Sequence, residues 1–301
     1  MRHSKSFLFF LCIFFIPHHV FAAEKIVVTP AFQEFTLNAN QVYEGEIEIQ
    51  NHTGTDQQFQ VRAVGFRSLD MSAGVAFLGT DINNENLFLA DFIAFENENF
   101  PVPAGETRSF PFQVKNQVSL APGGHYAALI FQSTPVAEEN TSQKIAVRQI
   151  FSALLFIEKI GGATKELQLV EFSEKSFYWN IPKNLSLRFI NTGNTHVVPR
   201  GTVKLENSFG YRKPCGVVNE SSGLLLPNQE RIFPVNLKCQ AYFPGKYTWH
   251  VSYRYDGKEA FVEAKNTFWF LPYPFVLTIG AGLLLLLLLR RRGLFRRRKK
   301  V

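Results

Sequence analysis

Cysteine is almost absent: 3 residues in a chain of 301, at positions 12, 215 and 239, with neither a C-x-x-C pair nor a Cys/His spacing that would hold zinc. The signatures of catalysis are missing too. There is no G-x-S-x-G, no phosphate-binding P-loop, no G-x-G-x-x-G and no H-E-x-x-H. His52, His125, His196 and His250 stand far apart in sequence. The acidic run Asp81-Ile82-Asn83-Asn84-Glu85-Asn86 starts like a calcium loop, but it lacks the sixth-position glycine, and Phe92 occupies the place of the closing acid. These absences assign no catalytic, cofactor-binding or metal-ligating residue and point away from an enzyme. Long amphipathic runs of period 3.6 are also lacking, which excludes a helical bundle.

Charge of one sign is concentrated at the ends. Lys and Arg number 32 against 25 Asp and Glu. Most of the excess stands at Arg290, Arg291, Arg292, Arg296, Arg297, Arg298, Lys299 and Lys300, with Arg2 and Lys5 at the other end. The stretch between them is slightly acidic, so nothing there favours nucleic acid. The basic tail follows an uncharged run over 275–289 that includes the leucines from Leu283 to Leu289. At ~1.5 Å per residue, with the apolar 268–271 stretch ahead of it, this approaches the ~30 Å of a bilayer core. Trp269 and Tyr273 suit an interfacial belt, Pro272 and Pro274 suit a helix start, and the cations place the tail in the cytoplasm. Leu271-Pro272 lies where a sortase signal would, but Pro274-Phe275 stands in place of Thr-Gly, so the anchor is expected to be retained.

At the N-terminus, Arg2 and Lys5 precede an apolar stretch over 7–16, and Val20-Phe21-Ala22 permits signal-peptidase cleavage. Phe10 and Leu11 stand where small residues would precede a lipidated Cys12. Once the leader is removed, Cys215 and Cys239 remain in an oxidising compartment, where a disulfide is the simplest fate and two buried free thiols are the alternative. Four N-x-S/T sequons, at Asn51, Asn140, Asn184 and Asn219, matter only in a glycosylating host.

Between the ends the chain reads as all-β. Tyr43, Gly45, Ile47 and Ile49 alternate with Glu44, Glu46, Glu48 and Gln50, one face for a core and one for water. Further strands are expected at 57–66, 74–78, 110–114, 125–132 and 145–157, the 125–132 strand being apolar on both faces and therefore central in its sheet. Gly161-Gly162 marks a boundary, after which the same order of signals returns. Pro103-Ala104-Gly105-Glu106 is echoed by Pro227-Asn228-Gln229-Glu230, and Pro122-Gly123 by Pro244-Gly245. Tyr247, Trp249, Val251, Tyr253 and Tyr255 form a stripe of period two, read as core with a carbohydrate platform as the alternative. Asp256-Gly257 reads as a two-residue hairpin. The expected architecture is two tandem immunoglobulin-like β-sandwiches followed by one C-terminal transmembrane helix: signal peptide 1–22, first sandwich 23–161, second sandwich 162–270, helix 271–289, basic cytoplasmic tail 290–301.

The segments 24–37, 43–51, 89–95, 100–106 and 121–131, the last reading Ala121-Pro122-Gly123-Gly124-His125-Tyr126, resemble the N-terminal domain of the bacterial WxL-interacting proteins and their membrane-anchored relatives. The resemblance covers roughly 24–160. It implies a first domain that engages peptidoglycan and a second that engages other surface proteins or a host. The expectation is a non-enzymatic, membrane-anchored surface protein binding cell wall (peptidoglycan) or partner surface proteins, without cofactors. The alternative is an assembly factor resembling the periplasmic pilus chaperones, donating the strand that carries Val147, Gln149, Phe151, Ala153 and Leu155 to a client.

Overall fold

The computed structural model describes residues 25–38, 41–69, 71, 74–78, 89–115, 120–136, 148–172 and 175–291. The leader with Cys12, the acidic run 81–86, Asn140, Val147 and the tail from Arg292 lie outside them. Ten strands form the first sandwich: β1 (Ile26–Thr29), β2 (Phe32–Leu37), β3 (Tyr43–Asn51), β4 (Gln57–Ser68), β5 (Val75–Phe77), β6 (Ile93–Ala94), β7 (Asn99–Val102), β8 (Thr107–Val114), β9 (Gly123–Pro135) and β10 (Gln149–Lys159). One sheet runs β1-β3-β8-β6; the other runs β2-β10-β9-β4-β5, with β7 also paired to β4. Pro30, which has no N–H to give a ladder, stands where the chain leaves the first sheet as β1 and enters the second as β2.

Alternation sets which side chains meet between the sheets. Ile47 and Ile49 of β3 are wholly buried while Glu44, Glu46 and Glu48 face water, and Phe110, Phe112 and Val114 of β8 fill the same core. Gly45 stands opposite Phe112, and a Cβ there would collide with the ring. Phe100 stacks between Phe59 and Phe110 at centroid distances of 5.7 and 5.2 Å, and Phe131 meets Phe110 edge-on at 5.3 Å. Burying each such ring contributes about 1.5–3 kcal/mol, which is how this half packs without a disulfide among its described residues. β9 is central, between β10 and β4, and is buried on both faces from Ala127 to Phe131.

Eight strands form the second sandwich: β11 (Leu167–Phe172), β12 (Phe177–Tyr178), β13 (Asn184–Asn191), β14 (Arg200–Asn207), β15 (Arg212–Val218), β16 (Glu230–Asn236), β17 (Gly245–Arg254) and β18 (Val262–Phe270). Sheets β11-β13-β16 and β12-β18-β17-β14-β15 enclose a core in which Tyr247, Trp249, Val251, Tyr253 and Tyr255 are all buried, so the aromatic stripe is core and no carbohydrate platform. Cys215 on β15 is bridged to Cys239 just beyond β16, tying one sheet to the other, with Cα atoms 4.7 Å apart. The Asp256-Gly257 connection is longer than a two-residue turn: Tyr253 pairs with Val262, and β18 starts only there. Asp256 instead accepts from the Val198 amide at 3.2 Å and from Arg200 at 2.6 Å, which holds the loop open.

The two halves share one built corner. Asn51, at the end of β3, is wholly buried; its Nδ2 donates to the carbonyls of Thr55, Val102 and Pro103 at 3.0, 2.9 and 3.1 Å, and its Oδ1 accepts from the Thr53 amide at 3.0 Å. Asn191, at the end of β13, does the same for Thr195 and Leu225 at 2.8 and 2.9 Å and accepts from the Gly193 amide at 2.9 Å. The carbonyls of Asn51 and Asn191 accept from Gly105 and Asn228, which both adopt positive φ, 76° and 55°. The repeat is therefore one residue out of the register that the Pro-x-x-Glu match implies, Gly105 corresponding to Asn228.

Beyond β18, Leu271 still bonds through its amide to Tyr178, and α1 (Tyr273–Arg291) begins two residues later than the expected 271 and ends two later than 289. Its 19 residues make an apolar helix long enough to cross a membrane, and none of them is buried by the rest of the chain. Arg290 and Arg291 close its last turn, where the helix dipole favours cations.

Candidate functional site

The feature that stands apart is β10. On one side it pairs with β9 along its whole length, from Gln149 opposite Ser133 to Lys159 opposite Gly123. On the other, β2 joins in parallel only from Leu154, opposite Phe32, to Lys159, opposite Leu37. Among the described residues no strand pairs with that side from Gln149 to Ala153. A sheet edge of this kind presents unpaired amides and carbonyls, and it accepts a further strand wherever one is offered.

The side chains of this half-strand divide by face. Phe151 packs against the first core, and Ala153, Leu155 and Ile157 are wholly buried in it, so the alternating positions pair as ordinary core. On the other face Ile150 is 65% exposed, Phe32, paired with Leu154 where β2 begins, is 57% exposed, and Phe156 is buried. Val147, the expected first position of the donated strand, lies outside the described residues.

That second face continues into the contact between the sandwiches. Val64, Phe66, Ala128, Ile130 and Phe156 pack together with Leu224 and Leu226 from the second sandwich. Beside them His196, 3% exposed, bonds through Nε2 to Glu34 Oε1 at 2.9 Å and through Nδ1 to the Tyr126 hydroxyl at 3.2 Å. Burial pushes the Tyr126 phenol well above its ordinary range. A backbone bond from Gly124 to the Asn194 carbonyl at 2.8 Å and one from Ile232 to the Met71 carbonyl at 3.1 Å cross the same boundary. Glu34 sits on β2, the strand that limits the open edge, so the inter-sandwich contact and the edge share an element. No sequence pattern marked His196, because its partners come from strands roughly 70 and 160 residues upstream, as the hydrogen bonds record.

The remaining histidines are not gathered. His250 bonds to Glu206, itself paired with Arg212; His125 lies at the start of β9 on the Ala121 carbonyl, and burial holds its imidazole below the ordinary value. Among the described residues no group of three or more His, Cys, Asp or Glu could hold a metal ion. Of the sequons, Asn51 and Asn219 have buried side chains committed to backbone carbonyls, whereas Asn184 is exposed.

No protein-family model matches the chain, and no curated protein is similar to it. Solved structures match at low identity. The class 5 fimbriae chaperone CfaA is 11% identical with a TM-score of 0.44, covering 82% of this chain and 100% of that one. The Salmonella enterica SafA pilin in complex with the SafB chaperone is 9% identical, TM-score 0.39, covering 83% and 98%. The CsuC–CsuE chaperone and tip adhesion subunit complex of Acinetobacter baumannii is 15% identical, TM-score 0.38, covering 69% and 89%. Identity this low speaks to fold alone. The resemblance to WxL-interacting proteins does not hold: no model of any family matches, and the structures named above contain fimbrial or pilus chaperones. With it falls the expected peptidoglycan-binding role. The residues behind it explain the error, since Leu89, Phe92, Phe100, Val102 and the run from Ala127 to Phe131 are all core, and Gly105 is a turn that such a sandwich needs.

Proposed function

We propose that the protein is a non-enzymatic assembly factor that holds an extended segment of an exported surface protein along the open side of β10, from Gln149 to Ala153, by strand addition. The observation that carries this reading is the half-covered strand: β2 protects β10 only from Leu154 onward, leaving a short ladder beside exposed Ile150 and Phe32. Main-chain bonds along such an edge supply affinity without regard to sequence, and apolar side chains at alternate positions of the client supply selection. Surface subunits are the class of client, in line with the pilin held in complex with SafB and the tip adhesion subunit in complex with CsuC. The sandwiches stand on the exported side of a membrane crossed by α1, with the basic tail in the cytoplasm.

A photo-reactive phenylalanine placed at position 150 in the full chain tests the reading in the native envelope. Adducts should form with exported surface proteins and map to an extended apolar segment of each. Adducts no more frequent or selective than those from exposed Val170 on β11 would refute it.

A further inference from the structure

The end of the second sandwich nearest α1 carries a set of exposed aromatic side chains that the core does not use. Phe209 is 95% exposed, Tyr211 68%, Tyr242 68%, Phe243 76%, Trp179 50% and Trp269 60%. The register puts them all at one end. β14 finishes at Asn207 opposite Tyr247, so the turn bearing Phe209 and Tyr211 projects past the start of β17, where Ser208 Oγ donates to the Lys246 carbonyl at 2.7 Å. Tyr242 and Phe243 lead into the same strand start, and the Tyr247 hydroxyl donates to the Phe243 carbonyl at 3.0 Å. Gly245 pairs with Phe270, the last residue of β18, and β12 pairs in parallel with Trp269 and Phe270, so Trp179 just past it points the same way along the chain. Only Leu271 and Pro272 separate this end from the apolar helix.

Two further observations set the height of these loops. A cleft of about 1030 Å³ is lined on one side by Leu237, Gln240 and Tyr242 and on the other by Phe275 and Thr278 of α1. Thr278 lies ~7.5 Å along the helix from Tyr273, so the loop that carries Tyr242 reaches down beside the first turns rather than ending above them. At the opposite end of the sandwich the exposed aromatic among the described residues is Phe261, with the Arg254 guanidinium over one face of its ring at 5.3 Å. Lys183, Lys238 and Lys246 are exposed around the aromatic end.

We propose that this end of the second sandwich is itself a membrane-binding surface, its aromatic loops seated in the phospholipid headgroup layer of the bilayer that α1 crosses. The polar-edged rings of Tyr211, Tyr242, Trp179 and Trp269 favour that layer, Phe209 and Phe243 add the apolar side that interfacial segments bury roughly 5–10 Å into it, and the lysines extend their ammonium groups to lipid phosphates. The inference rests on α1 being a span. Docking at several points fixes the tilt of the ectodomain and so holds the β10 edge at a set height above the lipid.

The test uses the full chain in phospholipid nanodiscs with single Phe209→Trp, Phe243→Trp and Phe261→Trp substitutions, each read as the difference from the parent emission. Lipids brominated close to the headgroup should quench the tryptophans at 209 and 243 and shift their emission to the blue, leaving the one at 261 unchanged. Water-like, unquenched emission at 209 and 243, matching that at 261, would overturn the proposal. Failure of the span shows separately, as a chain that does not float with liposomes, before any fluorescence is read.

Discussion

Replacing Asn51 by alanine probes the corner on which the repeat rests. The change strips the donor from three carbonyls, and its bond to Val102 is fully buried, while those to Thr55 and Pro103 lie partly open to water. An unsatisfied buried carbonyl costs about 1–3 kcal/mol and the rim carbonyls less, so a loss on the order of 3 kcal/mol is expected for the first sandwich. With a urea slope of about 1.5 kcal/mol/M, the midpoint of that half falls by roughly 2 M. The chain has 3 tryptophans, Trp179, Trp249 and Trp269, all in the second sandwich, so tryptophan emission follows that half while far-ultraviolet circular dichroism follows both. In the full chain held in micelles, Asn51→Ala should bring forward part of the dichroism transition and leave the emission transition in place. Asn191→Ala should move the emission transition instead. If Asn51→Ala shifted both probes together, the halves would unfold as one unit, and if it shifted neither, the corner would not bear the stability assigned to it.

Three further outcomes follow from the same structure. Replacing both Cys215 and Cys239 by serine opens a loop with a sequence separation of 24; it should cost the second sandwich about 3.5 kcal/mol by loss of loop-closure entropy, read in tryptophan emission, and leave the first sandwich unchanged. Protease added outside intact cells, or to spheroplasts where an outer membrane is present, should digest the sandwiches and leave a small C-terminal fragment, whereas a protected ectodomain would reverse the orientation. His125 is held below its ordinary value by burial, so its contribution is fully present above about pH 6.5 and is lost as pH falls through the lower folded value. His125→Asn should therefore flatten the acid side of the stability profile of the first sandwich, and an unchanged slope would show that the imidazole is not the group responsible.

Much of the fold was legible because alternation is a local property. The Glu/Ile pattern of β3 and the two-faced apolar run of β9 each state their own burial, and both occupy the positions that pattern requires. β14 and β15 left a weaker trace: Val203 and Leu205 are the buried pair in β14, and β15 contains Pro214 and a register shift opposite Val203, which break the period of two. Asp256-Gly257 misled because side-chain bonds from Asp256 to Val198 and Arg200 belong to the tertiary structure. The alternation of Gln149, Phe151, Ala153 and Leu155 was visible, but whether a strand is covered on its far side depends on where β2 starts, at Phe32, more than a hundred residues earlier in the chain. The His196, Glu34 and Tyr126 contact was hidden for the same reason. The aromatic residues of the 208–211 and 240–243 turns look ordinary in sequence; only the register of β14, β17 and β18 brings them to one end.

The open half of β10 is the claim on which the functional account depends, and backbone amide exchange measures it directly. In the full chain alone, amides between Gln149 and Ala153 that point away from β9 should exchange quickly, while those from Leu154 onward are protected by β2. Adding the surface protein identified through the cross-link at position 150 should slow the exposed amides and leave the rest of the first sandwich as before. Protection that appears elsewhere, with Gln149 to Ala153 unchanged, would contradict strand addition at this edge.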